Sequence, residues 1–214
     1  MIKFKGIIFD VDGTLVSTGE LIFNSFNFIM KKYKNKTLTT KEILSLFGPT
    51  EEQIIDLLFK ENPEEVKKDY LSFYSDNHHT VKLYEGINEI LELCKSRNVI
   101  LSIYTGKGRN TTEITLKKAG IYDYFDFIVT GDDVENHKPS PEGINLFMEK
   151  FELNKEEILM VGDAASDIKA AGKAGVKVAS VLWDSFGREE VLKLKSDLTF
   201  YSVSELRKFI EENI

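Results

Sequence analysis

Short apolar runs recur along the chain, each ending at a small, polar or acidic residue. They are Ile7-Ile8-Phe9, residues 99–104, Phe127-Ile128-Val129, Ile158-Leu159-Met160-Val161 and residues 176–181. Each is rich in β-branched residues and too short for a helix, which predicts buried strands. Helical periodicity lies between them. Residues 86–97 carry apolar side chains at 87, 90, 91 and 94, residues 112–119 run into Gly120 as a predicted C′ glycine, and Ser140-Pro141-Glu142 reads as a helix opening with a cap and a first-turn proline. Strand alternating with helix predicts an α/β fold with a parallel sheet, helices on both faces, and ligands at the carboxyl ends of the strands.

The alternation breaks between the first two strand runs. Residues 17–80 contain no strand-like run but several helix starts. Ser17-Thr18-Gly19-Glu20, Thr39-Thr40-Lys41-Glu42 and Thr50-Glu51-Glu52-Gln53 have capping-box spacing, and Asn62-Pro63 is a cap followed by a proline at the first helical position. A purely helical block inside an α/β core predicts an inserted α-helical cap subdomain over 17–80, with 1–16 and 81–214 forming the core. Its aromatic residues Phe23, Phe26, Phe28, Tyr70, Phe73 and Tyr74 are expected to pack its interior. No internal repeat and no low-complexity segment is present.

Composition narrows the partners. The hydrophobic fraction of 42% and the charged fraction of 29% suit a water-soluble globular protein. The net charge is −7, with Lys and Arg scattered, so neither nucleic acid nor an anionic membrane is expected as a partner. The apolar run at Met1-Ile2-Lys3-Phe4 and onward is too short and too soon interrupted by acids for a signal peptide. No apolar stretch approaches the roughly 20 residues needed to cross a bilayer. With Cys94 the sole cysteine, an intramolecular disulfide is impossible, which predicts a reducing, cytoplasmic setting. Cys94 sits at helical spacing among apolar residues and is expected in the core. His78 and His79 are adjacent and not expected to share a metal site.

Four segments carry candidate chemistry, each following a strand run. The first delivers Asp10 and Asp12 into a turn that Gly13 permits; paired carboxylates repel and call for a cation or a shared proton. After the second run, Thr105-Gly106-Lys107-Gly108 brings a hydroxyl and flexible backbone N–H groups suited to phosphate oxygens. His137-Lys138-Pro139 offers an ammonium beside a rigid proline. After the fourth strand run, Gly162-Asp163 through Asp167 adds two more carboxylates. Alone, these segments read as an Asp-Gly surface turn, a glycine turn, a solvated lysine and a helix N-cap. In a parallel sheet all four emerge at one edge, where such an oxygen-rich set suits Mg²⁺ with a phosphate.

Asp10-Val11-Asp12-Gly13-Thr14-Leu15, Thr105-Gly106-Lys107, Lys138-Pro139 and Gly162-Asp163 through Asp167 resemble, in order, the four signature motifs of the haloacid dehalogenase-like superfamily. Val129-Thr130-Gly131-Asp132-Asp133 and residues 167–176 resemble its phosphoglycolate phosphatase-like branch. The resemblance spans the whole chain. It implies a Rossmann-like core with a helical cap, and a Mg²⁺-dependent phosphatase working on a small phosphorylated metabolite through an aspartyl-phosphate. Asp10 is then the nucleophile, and Asp12 the general acid and base. Asp10, Asp12 (through its carbonyl), Asp163 and Asp167 attend the metal, Asp167 through water or by pairing with Lys138. Thr105 and Gly106 hold the phosphoryl group, and Lys138 balances its charge. Gly48, in Phe47-Gly48-Pro49, resembles a substrate-specificity loop, and Lys107 is expected to meet a second acidic group on the substrate.

Other readings stay open at this level: a pyrophosphatase or nucleotidase of the same mechanism, a β-phosphoglucomutase-like phosphotransferase, or a non-catalytic protein that binds a phosphorylated ligand. Resemblance to the mutases implies a histidine ten residues after the second aspartate, where this chain has Ile22. A receiver-type signalling domain would be shorter and lack the helical insertion. The oligomeric expectation is a monomer or homodimer.

Overall fold

A computed structural model describes residues 4–185 and 187–214, so Met1, Ile2 and Lys3 of the N-terminal run lie outside the described residues. The main sheet holds β1 (Gly6–Phe9), β4 (Ile100–Tyr104), β5 (Phe127–Val129), β6 (Ile158–Gly162), β7 (Lys177–Val181) and β8 (Leu198–Phe200). Their order is β5-β4-β1-β6-β7-β8, and every pairing is parallel. A second, two-stranded sheet pairs β2 (Val16–Ser17) with β3 (Lys82–Leu83) antiparallel. The helices are α1 (Gly19–Lys34), α2 (Thr40–Leu44), α3 (Glu51–Leu58), α4 (Pro63–Asp76), α5 (Ile87–Ser96), α6 (Arg109–Lys118), α7 (Glu142–Phe151), α8 (Ala165–Ala174), α9 (Arg188–Lys193) and α10 (Val203–Asn213). This is the expected Rossmann-like α/β architecture. None of the described helices is long and apolar enough to cross a membrane.

Alternation along each strand divides the interior in two. Ile7, Phe9, Leu101, Ile103, Leu159 and Val161 pack with Ile90, Leu91 and Cys94 of α5 and Leu206 and Ile210 of α10. Ile8, Tyr104, Met160 and Val178 point the other way, onto Ile144 and Phe147 of α7 and Ile168, Ala170 and Ala171 of α8. Burial on both faces explains the nearly unbroken apolar runs. Cys94 is a core residue, and burial pushes its thiol up to about 12, far from a reactive thiolate.

Gly6 opens β1 because nothing larger fits. A Cβ there would stand 2.7 Å from Leu153 Cδ1 and Phe147 Cε1. Gly6→Ala is therefore expected to cost about 1–3 kcal/mol through overpacking. Thermal melting would show this as a Tm lower by several degrees, and an unchanged Tm would refute it.

Helices α1 to α4 bury an apolar cluster of their own, including Leu21, Phe26, Ile29, Ile43, Ile55, Val66, Tyr70 and Tyr74. Phe28 and Phe73 stack with centroids 4.5 Å apart. Two capping boxes form as expected, at Thr39 with Glu42 and at Thr50 with Gln53. Pro63 takes the first turn of α4, and Gly120 follows α6 with φ of 72°. At Pro141 the helix starts one residue later than expected: α7 begins at Glu142, whose N–H is accepted by Ser140 Oγ at 3.3 Å.

Further features differ from the sequence expectation, among them Asn62, which precedes α4 but makes no capping bond. Thr18 precedes α1 but makes no capping bond; its hydroxyl and that of Ser17 are taken by Asp12 and Asp184 instead. Val16–Ser17 and Lys82–Leu83 pair at the two chain ends of the helical block, where no strand was anticipated. Leu198–Phe200 adds a sixth strand beside β7. The adjacent histidines diverge: His78 is buried edge-on against Tyr74, whereas His79 is exposed.

Candidate active site

Register puts the four candidate segments on one edge. Phe9 pairs with Ile103 on one side and Val161 on the other. Asp10 therefore leaves β1 level with the ends of β4 and β6, from which Thr105 and Asp163 follow directly. The Thr105 N–H donates to Val129 O at 3.0 Å, tying the phosphate-loop candidate to the end of β5.

Asp10, Asp163 and Asp167 each direct a carboxylate oxygen to one spot, with those atoms within 4.8 Å of one another and all three residues buried. Lys138 Nζ lies 2.9 Å from Asp10 Oδ1 and 2.6 Å from Asp167 Oδ1. Asp167 also accepts the Ala164 N–H at 3.0 Å, so the residue is both helix cap and ion-pair partner. Thr14 donates its hydroxyl to Asp163 Oδ1 at 3.2 Å. Glycine is required at two places here. Gly13 has φ of +79°, and a Cβ on Gly13 would meet the Asp163 carboxylate, as one on Gly162 would meet that of Asp167.

Three buried carboxylates face one ammonium, and their electrostatics record the imbalance. Burial, with help from Asp167 and Asp12, pushes Asp10 up to about 6 despite Lys138. Burial and the charges of Asp10 and Asp167 hold Asp163 well above the usual carboxylate range. Burial works to lower the Lys138 pKa, but Asp10 and Asp167 overcome it and keep the ammonium charged. A buried all-oxygen donor set with surplus negative charge fits a divalent cation.

The Asp12 side chain turns away from this trio. One of its oxygens accepts the Thr18 hydroxyl, and the other lies 3.3 Å from Lys107 Nζ. Lys107 is almost fully enclosed and is shared with Glu51 Oε1, also at 3.3 Å, and with the Tyr74 ring 4.8 Å away. Burial acts to lower the Lys107 pKa, and Asp12, Tyr74 and Glu51 outweigh it, holding it above the ordinary lysine value.

A cavity of about 320 Å³ opens over the carboxylates. Asp10, Asp12, Thr105, Gly106, Lys107, Lys138 and Asp163 line its floor, and Ile22, Phe23, Phe26, Leu44, Phe47, Gly48, Pro49 and Ile54 its helical side. Gly48 has φ of +137°, and a Cβ there would meet nothing within 4 Å. Thr105 Oγ1 accepts the Lys107 N–H at 3.3 Å and closes its own loop. Asp132 and Asp133, which drew attention in the sequence, serve structure: Asp132 accepts the Arg109 N–H at 2.7 Å and Asp133 the Thr130 N–H at 2.7 Å.

Thr18 and Glu51 also line the cavity, although neither stands out as a site residue in the sequence. Their local signals point to helix caps and first-turn acids, and only the tertiary fold turns them toward the cavity.

Comparison with known proteins agrees with this geometry. The family model for haloacid dehalogenase-like hydrolases matches residues 7–181. The chain belongs to that family. It is 33% identical over 211 residues to the pyrophosphatase PpaX of Bacillus thuringiensis (strain Al Hakam), covering 98% of each chain. With PpaX of Bacillus anthracis (strain A0248) it shares 34% over 205 residues, 95% of each. A predicted phosphoglycolate phosphatase from Haemophilus somnus 129PT superposes with a TM-score of 0.82 at 26% identity, over 98% of this chain and 99% of that one. This haloacid dehalogenase-like hydrolase is thus a phosphatase of the phosphoglycolate phosphatase-like branch.

Proposed function

We propose that the protein hydrolyses small phosphorylated metabolites with Mg²⁺ and an aspartyl-phosphate at Asp10, its helical block (17–80) acting as a cap over the core. The observation that carries this reading is the convergence of Asp10, Asp163, Asp167 and Lys138 in one buried cluster, three members of which, Asp10, Asp163 and Lys138, line the cavity. Asp10, Asp163, Asp167 and the Asp12 carbonyl would hold the ion, which when bound draws negative charge off the phosphoryl oxygens.

Lys138 fixes one Asp10 oxygen, and the other attacks phosphorus. The P–O bond to the leaving group breaks while Asp12 gives that oxygen a proton. Asp12, now a carboxylate, takes a proton from the water that attacks the aspartyl-phosphate, releasing inorganic phosphate and restoring Asp10. Thr18 and Lys107 hold Asp12 on the cavity side throughout. Thr105 and the Gly106 backbone cradle the phosphoryl oxygens, and Lys138 offsets their charge. Gly48 lies on the helical wall opposite, where a specificity role belongs. Ile22 occupies that wall too and has no proton to shuttle, which favours hydrolysis over phosphotransfer between sugar positions.

The same centre cleaves an ester or a pyrophosphate, since only the leaving oxygen differs. The test is release of inorganic phosphate from 4-nitrophenyl phosphate with Mg²⁺, with a chelator, and with Mg²⁺ restored. Release that needs the ion and returns with it is expected; release indifferent to the chelator would refute the metal assignment.

A further inference from the structure

Beyond the phosphoryl centre, the described residues lining the cavity offer no spare positive charge. Among the described residues lining it, the basic ones are Lys107 and Lys138. Lys138 is paired with Asp10 and Asp167, and Lys107 with Asp12 and Glu51.

Glu51 is an acid from the helical block that the core has enclosed. Its side chain is 9% exposed, and its two oxygens collect three donors. Oε2 accepts the Gly108 N–H at 2.7 Å, at the N-terminus of α6. Oε1 accepts the Thr111 hydroxyl at 2.9 Å and faces Lys107 Nζ at 3.3 Å. An open helix N-terminus, a hydroxyl and a buried ammonium together make a position for an anion. Here the chain's own carboxylate fills it. The helical side of the lining, formed by Ile22, Phe23, Phe26, Leu44, Phe47 and Ile54, is apolar, and the further polar side chains that line the cavity, Thr18, Ser166 and Asp184, bring no positive charge.

A second substrate anion directed at this position must expel Glu51 from three donors, and one directed elsewhere meets the apolar helical side or the carboxylate of Asp184. Either course is unfavourable. An uncharged apolar leaving group meets neither obstacle and gains from leaving water. Resting on the phosphatase reading above, we propose that the enzyme prefers phosphomonoesters with an uncharged, largely apolar leaving group. Glu51 sets this preference by occupying the position that a second substrate anion would need. The preference departs from the pyrophosphate after which the PpaX relatives are named.

The experiment compares kcat/KM, with Mg²⁺ and the full chain, for benzyl phosphate and 4-carboxybenzyl phosphate, a pair differing in one remote charge. Inorganic pyrophosphate and 2-phosphoglycolate are run alongside. The wild type is expected to favour benzyl phosphate over its carboxylated twin by about tenfold or more, a difference of the size pocket chemistry supplies. Glu51→Gln keeps the side-chain volume and takes from Lys107 one of its two carboxylate partners, leaving Asp12, so it should narrow that ratio several-fold. A purely structural role for Glu51 would lower both rates together and leave the ratio unchanged, which would overturn the proposal. So would a wild-type enzyme faster on pyrophosphate or 2-phosphoglycolate than on benzyl phosphate. That ranking decides by itself if Glu51→Gln fails to fold by circular dichroism. Failure to release phosphate from any of the four substrates would instead overturn the phosphatase reading, and this one with it.

Discussion

Asp10→Asn is expected to lower phosphatase kcat/KM by about 10⁵–10⁶-fold, the scale on which removal of a covalent nucleophile has been measured in enzymes. The amide has the shape of the carboxylate but no lone pair basic enough to attack phosphorus, and it removes one anionic ligand from the metal cluster. Loss of fold would not account for the result. Asp10 sits within 4.8 Å of the ligand oxygens of Asp163 and Asp167, so neutralising it relieves repulsion in a buried cluster. Lys138 keeps its 2.6 Å partner in Asp167, and the ammonium is not left bare. The metal-free Tm of the variant should therefore match or exceed that of the wild type. Assay of 4-nitrophenyl phosphate hydrolysis beside thermal melting checks both parts. A variant that melts normally and still turns over at the wild-type rate would remove Asp10 from the chemistry.

What makes Asp10 legible is its position after a strand buried on both faces. Ile7-Ile8-Phe9 reads as a buried strand, and an acid at the end of such a strand points to the sheet edge where ligands bind. The same logic placed Asp163 after Ile158-Leu159-Met160-Val161, and parallel pairing then made the two neighbours. Edge strand β8 escaped because Leu198-Thr199-Phe200 is short and half-exposed, so its alternation resembles many loops. The β2–β3 pair escaped because two-residue strands carry no period at all.

The site residues that were not legible share a different cause. Thr18 and Glu51 stand where helix starts want a hydroxyl and an acid, and the local explanation satisfied the pattern. In the fold, Thr18 gives its hydroxyl to Asp12, and Glu51 turns across to α6 and Lys107. Lys107 shows the converse. Its place after Thr105-Gly106 suggests a partner on the substrate, whereas in the fold the acids it faces, Glu51 and Asp12, belong to the protein. Which partner completes a charged residue depends on contacts between segments more than 50 positions apart, and no local pattern encodes them.

Asp12→Asn is expected to lower kcat/KM for an alkyl phosphate by about 10²–10⁴-fold, the usual contribution of a positioned general acid and base. Asparagine is the better probe than alanine. It can still accept the Thr18 hydroxyl, and it leaves Lys107 with Glu51, so the cavity wall stays in place. The two halves of the Asp12 role then separate by substrate. With 4-nitrophenyl phosphate the leaving oxygen needs little protonation, so Asp10 should still be phosphorylated at a useful rate. The water that clears Asp10 still lacks its base. Mixing should give a burst of 4-nitrophenolate equal to the enzyme present, followed by slow release, with one phosphoryl group visible on the intact protein by mass spectrometry. A benzyl phosphate reaction should show no burst, because there the first step fails as well. Equal losses on both substrates with no burst would mean that Asp12 only shapes the loop. A burst confined to the good leaving group would assign both proton transfers to this one carboxylate.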